Sequence, residues 1–466
     1  MFANKKNNMN TLYIHRRQLL KNLALTLPAG MLMPSLLASC RKDKIEFSGK
    51  AIVIGAGAAG MYASYLLNDY DVDVTVLEAA PVYGGRIRPL EGFSDFTIEL
   101  GAEEVHGEKS LWHDIITSLN KEFVNADDES FYFIDNLLKS EAQVANDDDL
   151  NALYDLIENI ENYFGVDKTI DQYLSDNNIA QRVSHIGNAL LGNEYGTSNS
   201  RLGAAGVAAS ARKWDAGDQN FMLKNSHYLS VLEEKFSSIL PKIQLNTQIK
   251  KIDYTGNQVI LTDQNGNIYT ADKIIITVPL AILQSGDIEF IPSLPVSKQS
   301  AINAIGMNTG MKIILKFSNT FWAANLGSVY GNGYVPEFWS TGLGRSSENN
   351  TLTAFVMGEK AEYLSSLGAA AIDTVVAELD QMYGAGVASG SLVASHIMDW
   401  SKEPFIKGAY SFQKVGTGNS RETLAQSIDN KLFFAGEATN TEGHEATVHG
   451  AIETADTAVE ELVSKE

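Results

Sequence analysis

Gly55, Gly57 and Gly60 follow an apolar run at G-x-G-x-x-G spacing, and Glu78 stands eighteen residues past Gly60. Glycines at this spacing permit a tight turn and a close approach of backbone to a pyrophosphate. Ala58 and Ala59 fill the turn without bulk, and the amides that open the following helix point at the phosphates. A carboxylate at the end of the next strand can bind the ribose hydroxyls of the adenosine half. A second glycine turn, Gly84-Gly85, carries Arg86, a cation suited to the same pyrophosphate. Together these residues describe a dinucleotide site.

Such a site needs a strand–turn–helix–strand unit to hold it. Residues 51–54 form an apolar run suited to a buried parallel strand, 58–67 read as a helix, and 72–77 as a second strand ending at Glu78. The C-terminal region repeats the pattern: 432–435 read as a short apolar strand, Gly436-Glu437 turn out of it, and a helix runs from about 446 to 463. Leu153, Ile157, Ile160 and Phe164 have the spacing of an amphipathic helix. The expected class is α/β, with a Rossmann-like dinucleotide domain.

The 466 residues hold 57 Asp/Glu against 36 Lys/Arg, a net charge of −21. That balance excludes a nucleic-acid partner driven by phosphate contacts. Cys40 is the only cysteine, so the fold contains no intrachain disulfide and no cysteine nucleophile beyond it. Arg16-Arg17 precede an apolar stretch, residues 23–37, that ends in Leu-Ala-Ser-Cys. The stretch is too short and too broken by Pro28, Gly30 and Pro34 to span a bilayer. Residues 1–39 therefore read as a twin-arginine signal peptide, with Cys40 as the lipidation site of an exported, periplasmic or cell-envelope lipoprotein. The only membrane contact expected is that lipid anchor. Removing residues 1–39, with five Lys/Arg and no Asp/Glu, would take the net charge to −26.

Six segments in order resemble the flavin-containing amine oxidase family, which includes monoamine oxidases, polyamine oxidases, lysine-specific histone demethylases and L-amino-acid oxidases. They are residues 50–90, ELGAEEVHG at 99–107, the hairpin and returning strand at 243–283, GMKIILKFSNTFW at 310–322, WSKEPFIKGAYSF at 400–412, and 432–462. The resemblance implies FAD, held non-covalently because no cysteine is left to link it. It implies that Ala102 and Glu103 face the flavin, Ile249 touches the adenine, and Gly436-Glu437 pass beneath the ribityl chain. The amides of Thr447 and Val448, at a helix N-terminus, would meet the pyrimidine edge of the ring where negative charge gathers on reduction. The family also builds its flavin domain from separated segments, here 48–130, 225–295 and 395–466. The α+β substrate domain would then comprise 131–224 and 296–394. One departure is LKNSHYL at 223–229, which lacks the paired glycines common where the chain returns to the flavin domain and leaves the local geometry at Asn225-Ser226 open.

The substrate implied is a small-molecule amine. Amino-acid oxidases of the family carry an arginine for the substrate carboxylate where this chain has Glu104, which would repel a carboxylate and attract an ammonium. His106 lies where spermine-type polyamine oxidases carry histidine. Thr447 and Tyr410 take the positions of the two walls of the monoamine oxidase aromatic cage. Lys312 is the expected catalytic residue, bonded through water to the hydride-accepting flavin nitrogen. The implied reaction converts an amine to an imine, which hydrolyses to aldehyde and amine or ammonia, with dioxygen reduced to hydrogen peroxide. The alternatives are an L-amino-acid oxidase or another flavin oxidoreductase of this fold, such as a lipid or pigment desaturase, and a non-catalytic lipoprotein scaffold.

Overall fold

A computed structural model describes residues 47–125 and 128–464. The expectations for Arg16-Arg17 and Cys40 lie outside the described residues. Among these residues no helix is long and apolar enough to cross a membrane.

Five short parallel strands form the sheet that carries the dinucleotide loop. Their order is Ile243–Gln244, Asp73–Leu77, Lys50–Ile54, Lys273–Ile276 and Leu432–Phe434. Strand residues alternate faces, so each apolar run feeds two cores at once. Val53, Val74, Val76, Ile275 and Phe433 pack with Met61, Leu67, Ile452, Val459 and Leu462 of the helices Ala58–Asp69 and Val448–Ser464. Ile52, Ile54, Leu77, Ile274, Ile276 and Phe434 pack the other way, against Ile249, Ile252, Val259 and Leu261 of a second, four-stranded sheet.

The third large sheet has seven strands, in the order Leu392–Asp399, Gly310–Phe317, Thr351–Met357, Glu337–Ser340, Leu326–Tyr330, Glu129–Ile134 and Leu137–Ser140. One face packs Met311, Ile313, Leu315, Val329, Phe338 and Val356 against the helices Gly358–Leu367 and Ala371–Tyr383. The opposite face of Gly310–Phe317 is set by the same alternation and carries Lys312, Ile314 and Lys316. Ile314 packs there with Ile98, Leu100, Met398 and Trp400. The domain limits read at 130 and 395 fall inside strands of this sheet.

A helical segment whose core includes Leu153, Ile157 and Ile160 packs with Tyr132, Ile134 and Tyr330 of the seven-stranded sheet. The amphipathic helix expected through Phe164 ends earlier, at Glu158, and continues as a single tight turn over Ile160–Asn162. Phe164 is 79% exposed, with the Arg212 guanidinium 4.4 Å from its ring centroid. The change of pitch after Glu158 carries it off the buried stripe.

At the glycine-poor return segment, the Ser226 amide bonds the Lys224 carbonyl, and the helix Tyr228–Lys235 starts at once. The Tyr228 amide donates to buried Glu99 Oε1 at 2.6 Å. A carboxylate from another segment thus fixes this corner.

Candidate active site

Gly60 faces the Gly55 carbonyl so closely that a Cβ would sit 2.0 Å from its oxygen. Only glycine lets the helix Ala58–Asp69 start this near the strand end. Its N-cap, Gly57, supplies no side chain, which leaves the first-turn amides to a ligand. Gly57 bridges to Gly84, so the two glycine turns lie side by side. Glu78 accepts the Ala56 amide at 2.7 Å and the Ala80 amide at 2.8 Å. Burial raises its pKa against those amides.

A cavity of about 310 Å³ starts at this loop and passes between the parallel and seven-stranded sheets. Every residue read from the sequence as cofactor- or substrate-binding lines it except Gly60, which packs behind the loop, and Lys312 lines it too. Glu78, Thr247 and Ile249 belong to its lining near the loop, and Lys312, Tyr410 and Thr447 to that beside the seven-stranded sheet.

Several of those residues are also tied to one another and to distant segments. Arg86 Nη1 donates to the Ala409 carbonyl at 2.8 Å and to Glu437 Oε1 at 2.9 Å, so this cation is already ion-paired within the protein. Glu437 also accepts from Ser411 Oγ at 2.6 Å and from the Ala446 amide at 3.1 Å. Burial would raise its carboxyl, but the Arg86 and Arg421 guanidinia and the Ser411 hydroxyl outweigh burial and hold it below the ordinary range. Glu437 thus ties three segments together under the cavity. Glu103, expected to face the flavin, commits both oxygens to cations: Lys312 Nζ at 2.7 Å and Arg345 Nη2 at 2.5 Å. Lys312 Nζ further donates to the Glu99 carbonyl at 3.0 Å and lies 5.1 Å from the Trp339 ring centroid. Burial opposes the ionised form of Glu103, yet the two cations lower its pKa. Glu99, fully buried, is raised to about 7 by desolvation, with the Glu103 charge adding to it against the Tyr228 amide.

Thr447 offers the cavity little polarity. Its hydroxyl donates to the His444 carbonyl at 2.7 Å and accepts from the Gly450 amide at 2.9 Å, closing the first turn of Val448–Ser464. The preceding residue, Ala446, has φ +65°, a left-handed conformation costly for a side chain with a Cβ. Thr447 and Val448, which follow it at the start of the helix, line the cavity. Tyr410 donates to the Glu194 carbonyl at 2.8 Å, and His106 Nδ1 is 2.9 Å from Asn220 Oδ1 and 3.9 Å from Glu104 Oε2.

Reading the motifs one at a time missed a row of residues that the sheet assembles. Lys312 pairs with Phe355, Phe355 with Glu337, and Glu337 with Tyr330, one residue per strand across four strands. Trp339 and Glu194 join the same lining. Glu337 is buried and accepts from Ser328 Oγ at 2.7 Å. EFWS at 337–340 is polar only at its two ends, so it carries no period-two signal of which face is the wet one.

The residues fit a flavin dinucleotide. Gly436, at φ +130°, has no protein atom within 4 Å of where a Cβ would be, and it lines the cavity between the two glycine turns and the C-terminal helix. A cradle of this kind suits a chain passing over the backbone. Residues 229–463 match the family model described as flavin containing amine oxidoreductase, and 53–118 match an NAD(P)-binding Rossmann-like domain. The chain belongs to the flavin-containing amine oxidoreductases. FAD is the cofactor of this family of oxidoreductases, and the lining of the cavity fits it.

Among its relatives, lysine-specific histone demethylase 2 of Homo sapiens is 29% identical over 427 residues, covering 84% of this chain and 50% of that protein. Polyamine oxidase 2 of Arabidopsis thaliana is 29% identical over 434 residues, 87% of this chain and 86% of that one. The chain therefore spans about half the length of the histone demethylases it matches. Putrescine oxidase has the same fold at TM-score 0.78 and 17% identity, over 90% of this chain and 100% of the other. Cyclohexylamine oxidase from Brevibacterium oxydans follows at 0.75 and 18%, over 90% and 99%.

Proposed function

We propose that this chain oxidises a small amine carrying a second cationic group, with a polyamine or diamine the favoured class. The observation that carries the reading is the charge of the cavity wall. Glu104, Glu194 and Glu337 all line it, and Arg86, the lining guanidinium, is paired with Glu437. Two strand spacings separate Glu337 from Lys312 along the row, roughly 10 Å, a span that suits two ammonium groups on one aliphatic chain.

FAD, when bound, supplies the hydride-accepting chemistry. The protein's part is to bind, orient and desolvate. Glu104 and Glu337 attract and align the cationic chain, while Trp339, Phe355 and Tyr410 present rings to its methylenes and to the ammonium. The Lys312 ammonium, fixed by Glu103 and the Glu99 carbonyl, holds a positive charge and a proton donor at the cavity wall. There it orders water for imine hydrolysis and favours charge building on dioxygen, the acceptor we propose. The amides of Thr447 and Val448 stabilise negative charge at the helix N-terminus.

An L-amino-acid substrate is disfavoured because its carboxylate would face Glu104 without an unpaired cation. Export as a lipoprotein anchored at Cys40 is part of the same proposal, supported by the order Arg16-Arg17, apolar stretch, Leu-Ala-Ser-Cys. Peroxide release from putrescine, spermidine, spermine, benzylamine, a methylated lysine peptide and a set of L-amino acids tests the substrate reading. Higher kcat/KM for the diamines and polyamines supports it. Preference for the peptide or an amino acid overturns it, and no peroxide with any substrate, despite a yellow protein that the amines reduce, overturns dioxygen as acceptor.

A further inference from the structure

Behind the N-terminus of Val448–Ser464, outside the lining of the flavin cavity, His444 and His449 are both nearly fully buried, with ring centroids 4.8 Å apart. Glu453 lies one helical turn after His449 on the same face. One nitrogen from each imidazole and one Glu453 oxygen fall within 4.8 Å of each other. Asp215, from a separate segment, brings Oδ1 to 3.1 Å from His444 Nε2, and Glu453 Oε2 is 2.8 Å from His444 Nδ1. The indole of Trp214 packs edge-on against both imidazoles.

The support around the cluster resembles that of a built site. Asn440 Nδ2 donates to Glu453 Oε2 at 3.2 Å, while Asn440 Oδ1 accepts the Glu442 and His444 amides at 2.9 and 3.0 Å. One side chain thereby orients both the carboxylate and the loop that carries the first histidine, as outer partners of metal ligands do. Nothing in the proposed amine chemistry uses these residues.

We propose that His444 through Nδ1, His449 and Glu453 form a binding site for a divalent transition metal of the zinc class, with Asp215 as the outer partner that accepts from His444 Nε2. Two imidazoles with a carboxylate select a borderline cation over magnesium or calcium, which prefer all-oxygen shells. Imidazole and carboxylate donors would have to close from the present separations to about 2.0–2.2 Å from the metal. The ion would pin residues 440–446, and so the start of the helix whose first amides face the cavity.

Calorimetric titration of the FAD-loaded protein with ZnCl2, and separately with MgCl2, tests the proposal. The expected result is one zinc per chain with micromolar or tighter affinity and no comparable magnesium binding. His449→Ala and the surface change Asp215→Asn should each weaken zinc binding, about tenfold or more for the histidine. X-ray absorption of the zinc-loaded wild type gives a readout independent of how the variants fold and should show two imidazole nitrogens at about 2.0 Å. Absence of zinc binding, equal binding in the variants, or a spectrum with fewer than two imidazoles overturns the site.

Discussion

Replacing Glu103 by Gln keeps the shape of the side chain and removes the one negative charge shared by Lys312 and Arg345. All three side chains are about 95% buried, with contacts of 2.7 and 2.5 Å to the carboxylate. The variant leaves two cations in a desolvated pocket with an amide between them that accepts one hydrogen bond well and repels the second donor. Removing one partner of a buried ion pair costs about 3–5 kcal/mol, and the second cation puts this case at the upper end. Urea unfolding at pH 7, followed by tryptophan fluorescence, measures this cost. Lys312→Met in the same background removes one of the stranded cations, so the double variant should lose less than the sum of the single changes, by about 1–3 kcal/mol. A Glu103→Gln protein within 1 kcal/mol of wild type at pH 7, or strictly additive effects, would refute the picture of a carboxylate clamp.

Lys312→Met should fold, bind FAD and remain yellow, yet lose turnover by roughly a hundredfold, the equivalent of about 3 kcal/mol of transition-state stabilisation. Stopped-flow mixing of the reduced variant with dioxygen locates the loss, and unchanged reoxidation and turnover would make Lys312 structural only. Glu104→Gln should raise KM for spermidine by about 1–2 kcal/mol, reduced from a fully buried charge because its side chain is 35% exposed, and leave benzylamine nearly unaffected; equal losses would assign Glu104 to scaffolding. Glu99→Gln should flatten the pH dependence of stability. With a folded value near 7 and an ordinary value of 4.5, folded Glu99 holds its proton over a window where the unfolded chain has lost it. Its contribution is complete below about pH 4.5 and fades by pH 7, about 3 kcal/mol in all, and parallel wild-type and variant curves across that window would exclude it. Cys40→Ser should release a soluble, flavin-loaded protein from the membrane fraction, and mass spectrometry showing no lipid on native Cys40 would end the lipoprotein proposal.

The parts legible in the sequence are those whose physics is local. Gly55, Gly57, Gly60 and Glu78 act within one strand–turn–helix–strand unit, so their spacing alone located the loop. Lys312 was found through its motif, but its partners were not. The resemblance implied that Glu103 faces the flavin, and Glu103 lines the cavity, but no motif names the cation that matches its charge, Arg345, 242 positions away. Glu337 and Tyr330 join Lys312 only through the register of four strands, which no single segment encodes. At Thr447 a local demand is added to the place in the cavity lining: its hydroxyl caps its own helix.

The order of strands in the parallel sheet also governs when this protein can become itself. Lys50–Ile54, at the centre, needs Lys273–Ile276 on one side, and that strand in turn needs Leu432–Phe434 at the edge. The helix that covers the first glycine turn's own helix is Val448–Ser464, the last element described. At 5–20 residues per second, roughly 20–80 s pass on the ribosome between the first strand and the last. Through that interval the N-terminal βαβ start carries apolar faces with no permanent cover. The dinucleotide site is thus a property of the finished chain, and a cofactor captured there acts as the final clasp of assembly rather than a seed for it.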